Sequence, residues 1–419
     1  MSRLRGRARL ARAVASGLGA LTVTVALVLA PMPAYADPPV GVGADGEFSL
    51  SGAGFGHGIG MSQYGAYGAA VTGRTWPQIL AFYYPGTALG TRPTSELIQV
   101  WLEGDKDRDL QVRPSSGLRV SDDLGATYTL PVGSRYRAWR AVRSVTEILK
   151  LQYLDSSGSW VTKRHPLSAS PRRTWRFTNT AKLVQVRLTD GSSREVRGSV
   201  AVFFYGSATR TVNRLRVETY LRSVVPSEMP TSWHTQAVRA QAVAARSYAF
   251  RALAGAAPDP RWDICDSVSC QVYLGYASTT PAGTRTVHET SRGDAAVAAT
   301  AGRILTFGGG VAQTQFSSSN GGHSAPGDYP YLRPQPDPYD AVIQPNTWTA
   351  TLSAATIAKA YPTVGEVQEL RVLIRDGYGR YGGRVLSIEI TGSIASVTVP
   401  GPQFRFAVGL RSTLFTIVS

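Results

Sequence analysis

Cysteine, histidine and lysine are scarce in this chain, with 2, 5 and 5 among 419 residues. Two cysteines, Cys265 and Cys270, cannot by themselves complete a structural zinc site, which takes four Cys or His ligands. No His-Glu-x-x-His or comparable ligand set occurs, so a metallohydrolase has no ligand pattern behind it. Acids are also few, 28 Asp and Glu against 44 Lys and Arg. The net charge of +16 suits an anionic partner such as nucleic acid, anionic lipid or a wall polymer. Arginine supplies 39 of those cations, scattered rather than blocked, so charge alone carries little functional weight. Beyond residue 30 no apolar run approaches the ~20 residues that a spanning helix needs. No strict internal repeat is visible.

What is present begins with a leader. Arg3, Arg5, Arg7, Arg9 and Arg12 precede an apolar run from about Leu18 to Ala30 and then Ala34-Tyr35-Ala36. That order reads as an export signal over residues 1–36, cleaved before Asp37, and predicts a secreted or wall-associated protein. Removing those arginines leaves a net charge of +11. Export argues against nucleic acid as the partner. Outside the cell, two cysteines are most simply a disulfide.

The remainder is long enough for two or three domains. Residues 37–94 hold a short strand, a glycine-laden loop, and helices predicted over about Met61–Ala70 and Pro77–Tyr83, the second ending before a Pro85-Gly86 turn. Residues 95–200 read as a β-rich insert, with apolar runs at Leu97–Leu102, Ser115–Val120, Tyr128–Leu130 and Val184–Leu188 broken by Ser-Gly and Asp-Gly turns. Ile148–Leu154 reads equally as strand or short helix. In 201–419, a helix is predicted over Val217–Val225, stopped at Pro226, and a long Ala-rich helix over Thr231–Leu253, capped by Ser232. Val238, Ala242, Ala245, Ala249 and Leu253 recur at helical spacing and form its expected buried stripe. A helix and strand over 295–307, a loop-rich stretch around Ser317–His323, and strands at Val385–Thr391, Val397–Pro400 and Phe404–Ser419 follow. The expected fold class is α+β, a mixed core with an Ala-rich central helix, glycine-rich loops and a β-rich insert.

The densest information lies in residues 226–248. Glu228 stands between Pro226 and Pro230 at the expected mouth of the long helix, and Arg246 lies on that helix. A lone carboxylate on a stiff turn is a means of holding one proton donor in a groove. The segment Tyr220–Pro230 with its helix resembles the SpoIID/LytB family, whose sporulation members cut glycan strands of peptidoglycan. Four further stretches share the resemblance: Cys265–Tyr273, Gln315–Ser324 with Tyr331-Leu-Arg, Gly54–Ala66, and Gly401–Ser412. Two departures matter. The Gly-His-Gly block usually lies near the family's C-terminus, and here it precedes the core. That is tolerable if the chain ends lie close together, and it predicts that residues 48–87 pack on the core. Ser269 also occupies a position where sporulation members commonly have His, which puts a zinc site in doubt.

The resemblance implies that Glu228 acts as general acid and then base in glycosidic cleavage, its pKa raised by burial. The bland alternative is a helix N-terminal Glu favoured by the dipole. Arg246 is implied to orient that acid or to grip a substrate carboxylate; a structural salt bridge competes with this. His57, Gln63, Tyr64, Gln241, Tyr248, Gln271, Tyr273, Ser319 and His323 are candidates for sugar binding. A satisfied turn histidine is the alternative for His57, and core packing for Tyr248. His165, His234 and His288 read as surface residues. No cofactor is expected, zinc at Cys265 and Cys270 being the minor reading against a disulfide. The resemblance leaves two functions open. One is a lytic transglycosylase cutting between N-acetylmuramic acid and N-acetylglucosamine. The other is a non-catalytic wall-binding enhancer of a partner cell-wall amidase. Peptidoglycan glycan strands are the expected partner under both.

Overall fold

The computed structural model describes residues 36–170, 173–255 and 261–418, without the side chains of residues 181 and 182. The predicted leader, apart from Ala36, lies outside the described residues. The fold is mixed α/β, with a large curled sheet and seven helices among the described residues. These are α1 (Gln63–Val71), α2 (Trp76–Tyr83), α3 (Val217–Glu228), α4 (Thr235–Ala254), α5 (Ser291–Ala299), α6 (Ala354–Ala360) and α7 (Gly401–Ala407).

The main path of the large sheet runs in the order Trp160–Thr162, Leu149–Leu154, Ala138–Arg143, Asp109–Val112, Trp175–Arg187, Ser193–Tyr205, Ala208–Arg216, Leu97–Trp101 and Ile264–Cys265. Its pairs are antiparallel except the last, where Ile264–Cys265 runs parallel to Leu97–Trp101. The ambiguous stretch at Leu149–Leu154 is a strand whose residues alternate between buried and half-buried. That period of two is what a pleated ribbon with one face on a core requires. The long strand Trp175–Arg187 pairs with Ser193–Tyr205 on one edge and with two strands on the other. Its first part pairs with Leu118–Ser121 and its last residues with Asp109–Val112, across a shift in register.

One continuous hydrophobic core joins this sheet to α1–α5. Trp139, Trp175, Phe177 and Val200 from the strands belong to the same cluster as Tyr220, Val224, Val238 and Ala245 from the helices. A second core lies under the tail. There Phe48 and Leu50 join Trp348, Ile388, Phe404 and Phe415. The strand Glu47–Ala53 is the centre of a three-stranded antiparallel sheet, between Thr347–Ser353 and Phe415–Val418. The beginning and end of the described chain are therefore hydrogen-bonded to each other. This brings the segment that follows Ala53 beside the rest of the molecule, and α1 and α2 both pack on α4.

Helix α4 is central rather than one-sided. Beyond the expected stripe, Ala237, Ala240, Val243, Ala244, Ser247 and Phe250 are also buried. Alanine is what a helix with neighbours on several sides demands, because small side chains let α1, α2, α3 and α5 approach together. It starts at Thr235, four residues later than expected, and the cap is not Ser232. The imidazole of His234 accepts the Gln236 N–H instead. Helix α3 continues past Pro226 to Glu228, with Pro226 in its last turn and the Met229 N–H closing onto the Val225 carbonyl. A proline there forfeits one backbone donor near a helix end and leaves the turn intact.

Candidate active site

The extension of α3 changes the setting of Glu228. It is the last residue of the preceding helix, not the first of the following one. The negative end of a helix dipole therefore faces this carboxylate, which removes the reading of a dipole-favoured N-terminal Glu. Burial raises its pKa above the usual carboxylate value, opposed only by a hydrogen bond from the Val272 N–H to Oε1 at 2.8 Å. Among the described residues no cation is paired with Glu228. The dipole of α3 acts in the same direction as burial. The arrangement favours a carboxyl that keeps its proton longer than an exposed one would.

The loop that supplies Val272 is fixed along α3. Gln271 accepts from the Tyr220 hydroxyl at 3.1 Å and donates to the Ala245 carbonyl at 3.3 Å. The Leu274 N–H donates to the Ser223 hydroxyl at 3.2 Å, and the Tyr273 hydroxyl to Asn213 at 2.6 Å. Cys265 and Cys270 are joined as a disulfide just upstream. With both sulfurs so bound, and no cluster of three or more His, Cys, Asp or Glu placed to hold a metal among the described residues, this site does not fit zinc.

Glu228 lines a groove of about 450 Å³. The lining also includes His57, Gln63, Tyr248, the Gln315–Ser318 segment, Arg405 and Phe406 of α7, Val268–Cys270 and Val272. Among the described residues, Glu228 is the only acid on that lining. Tyr248 has its phenol pKa raised by burial and also feels the Glu228 charge. The His57 segment is held by glycines. Gly58 has φ +76°, and a Cβ there would lie 2.0 Å from Nη2 of Arg384. The Ile59 N–H donates to His57 Nδ1 at 2.9 Å. Desolvation and the charges of Arg384 and Arg405 lower the pKa of His57. Although the residue's outer edge meets solvent, those like charges and the occupied Nδ1 all favour a neutral imidazole.

The expected site residues thus divide. Glu228, His57, Gln63 and Tyr248 share the groove. Tyr64 and Ser319 line an adjoining hollow that meets it at Phe55 and Ser318. Gln241 is fully buried behind Gln63, whose amide donates to it at 3.4 Å. Gln271 and Tyr273 point inward as braces, and their expected contact with sugar is replaced by the hydrogen bonds above. His323 stacks on Tyr378 outside the groove, its Nδ1 on the Ser324 carbonyl at 2.9 Å.

Arg246 is the largest revision. It is 0% exposed and absent from the groove lining. Its guanidinium grips Glu218 at 2.8 and 2.9 Å and donates to the carbonyls of Val297 and Arg303. It ties α3, α4 and α5 together, which is the structural salt bridge rather than a substrate clamp.

Arg405 and Phe406 were missed. Phe406 is 71% exposed, Phe55 52%, and the Arg405 guanidinium lies 4.7 Å from the Phe406 ring. The sequence pattern predicts closing strand from Phe404, yet Gly401–Ala407 is a helix. Pro402 in its first turn was the available signal.

Residues 205–307 match the family model described as stage II sporulation protein. This span is similar to the SpoIID domain. Glu228 and the disulfide loop fall inside it, whereas His57, Gln63 and Arg405 are contributed from outside the matched span. The chain is 34% identical to the amidase enhancer of Bacillus subtilis (strain 168) over 139 residues, 32% of this chain and 17% of that protein. It is 28% identical to stage II sporulation protein D of the same organism over 230 residues, 52% of this chain and 64% of the relative. To stage II sporulation protein D of Bacillus amyloliquefaciens it is 27% identical over 242 residues, 55% and 68% of the two chains. The chain therefore spans about a sixth of the first relative and just under two thirds of the second.

Proposed function

We propose that this protein acts outside the membrane on the cell wall, as a lytic transglycosylase cutting the bond from N-acetylmuramic acid to N-acetylglucosamine in peptidoglycan glycan strands. The observation that carries the reading is the solitary, pKa-raised Glu228 in the groove. Hydrolytic glycosidases ordinarily use two carboxylates, one as acid and one as base or nucleophile. A groove with one acid suits a reaction in which the sugar supplies its own nucleophile. Protonated Glu228 delivers its proton to the glycosidic oxygen, and the C1–O bond breaks. The C6 hydroxyl of the muramoyl residue closes on C1, and the Glu228 carboxylate takes up that hydroxyl's proton. No water is consumed, and the acid is regenerated.

The remaining lining fits a sugar polymer. Gln63, Ser317 and Ser318 offer hydrogen bonds to hydroxyl groups, and Phe55 and Phe406 offer exposed rings for stacking. The carboxylate grip first assigned to Arg246 falls to Arg405, which makes no salt bridge among the described residues and suits the acidic lactyl group of muramic acid. His57, neutral beside Arg405, serves as hydrogen-bonding partner rather than as a second acid.

The likeness to a protein named amidase enhancer favours a second reading, in which the same groove binds glycan and assists a wall amidase without cutting. The purified chain incubated with glycan strands stripped of stem peptides separates the two. The transglycosylase reading expects 1,6-anhydromuramoyl ends that disappear in Glu228→Gln. Retained glycan binding with no new ends in the native chain would reject it in favour of the enhancer.

A further inference from the structure

Several cations of the large sheet are paired with acids. Arg140 pairs with Asp109 at 2.9 Å, and Arg285 grips Glu195 at 2.7 and 2.9 Å. Arg113, Arg137 and Arg187 differ. All three are exposed, and among the described residues none forms a salt bridge. Yet they line one hollow of about 350 Å³, together with Gln111, Gln185 and Ser193. The backbone sets the cluster. The Arg113 N–H donates to the Gln185 carbonyl at 2.9 Å, Gln111 is the register partner of Arg187, and Arg187 is that of Ser193. Glu195, the acid whose charge Arg113 feels, is already engaged by Arg285.

Like charges brought together across strands are destabilising unless something neutralises them. Three guanidinium forks around one hollow exceed what a single carboxylate can satisfy, and they match the oxygens of phosphate groups. The hollow does not end there. It shares Gln111, Arg187 and Gly191 with a second of about 270 Å³, lined by Thr189 and Trp160, and the Trp160 ring is backed by Arg140 at 4.0 Å. The second hollow also carries Asp107, so the positive field is concentrated at the Arg113–Arg187 end.

We infer that this trough binds a phosphodiester-linked polyanion, with phosphates at Arg113, Arg137 and Arg187 and the intervening polyol or sugar running toward Trp160. The site is independent of Glu228 and of the transglycosylase reading. It would hold the chain on a phosphate-bearing polymer while the groove acts elsewhere.

The test is binding of the full exported chain to immobilised poly(glycerol phosphate) at low salt. The triple variant R113Q/R137Q/R187Q is compared with the control R74Q/R92Q/R380Q, which removes the same charge from exposed arginines elsewhere. Loss of about tenfold or more in affinity is expected for the first and little change for the second. Free inorganic phosphate should compete only weakly, because it fills one position of several. Equal losses in both variants would reduce the effect to net charge and overturn the site. Equal binding of polyglutamate, lost in the same variant, would overturn the assignment to phosphate. Binding unchanged in the triple variant would overturn both.

Discussion

Glu228 and Asp340 are both carboxylates drawn away from bulk water in the same chain, and their surroundings are opposite. Asp340 lies under the Ser319–Gly322 loop and is 1% exposed. It accepts from the hydroxyls of Ser62 and Ser319, the N–H groups of Asn320, Gly321 and Gly322, and the Asn346 amide. Among the described residues Glu228 accepts from the Val272 N–H alone, and it sits at a helix C-terminus. The first region saturates its acid with donors, and the acid holds a glycine-rich loop in shape. The second leaves its acid nearly bare, and an under-solvated acid is one that can give and retake a proton. Placement of donors, more than burial, separates a structural carboxylate from a reactive one.

The sharpest way to break this comparison is to remove each acid's charge, keeping the shape at Glu228 and truncating the side chain at Asp340. Glu228→Gln should lower anhydro-end production by about 10²–10⁴-fold, the range of general acid–base catalysis, with thermal unfolding no earlier than in the native chain. Asp340→Ala should behave conversely. It leaves several buried donors without an acceptor and should cost about 3–5 kcal/mol in urea unfolding, with activity falling only as the loop loosens. If Asp340→Ala were stable and inactive, the division of roles would be wrong.

The same contrast separates two arginines. Arg246→Leu strands Glu218 inside the helix cluster and should destabilise by about 3 kcal/mol. Arg405→Gln should leave the unfolding midpoint alone and raise KM for muramic-acid-containing strands by about tenfold, with kcat less affected. A kinetic series on purified variants, run beside denaturant curves, checks both.

The smallest effect is in pH. The pKa of Glu228 is raised on folding, so the folded state binds its proton more tightly than the unfolded chain does. Stability from this group is fully present below the unfolded value, near 4.5, and declines as pH rises through the folded value. Glu228→Gln lacks that loss. Its stability advantage over the native chain should be nil at low pH and grow toward neutrality. The native rate should fall on the alkaline side of the same transition, as the acid loses its proton. Asp337, raised to about 6 by burial despite its bond from Tyr83, adds a stability slope of the same sign and none in rate.

Much of this was readable from residue order because it depends on local pattern. Alternation at Leu97–Trp101 and helical spacing at Val238–Ala249 are local, and the strand and helix stand there. The Glu228 motif was legible, and so was the pairing of the two cysteines. What could not be read was direction. Gln271, Val272 and Tyr273 are consecutive, yet Val272 serves Glu228 through its backbone while its neighbours turn into the core. Nothing in residue type marks a main-chain N–H as the one that matters. Arg246 failed for a related reason, since an arginine on an Ala-rich helix looks the same whether its partner is a substrate or Glu218.

Composition and spacing alone determined the alternating strands, the small-residue helix at the centre and the excess of arginine, and the resemblance to the SpoIID/LytB family marked the candidate acid. These follow from periodicities of two and 3.6 residues and from the chemistry of single side chains. Only the tertiary structure decided that α3 runs on to Glu228, that Arg246 is spent on Glu218, and that Phe55–His57 and α7 face the same groove across more than 300 residues of chain. Those outcomes depend on which distant segments share a core and on where each buried polar group finds its partner. That competition is settled over the whole fold.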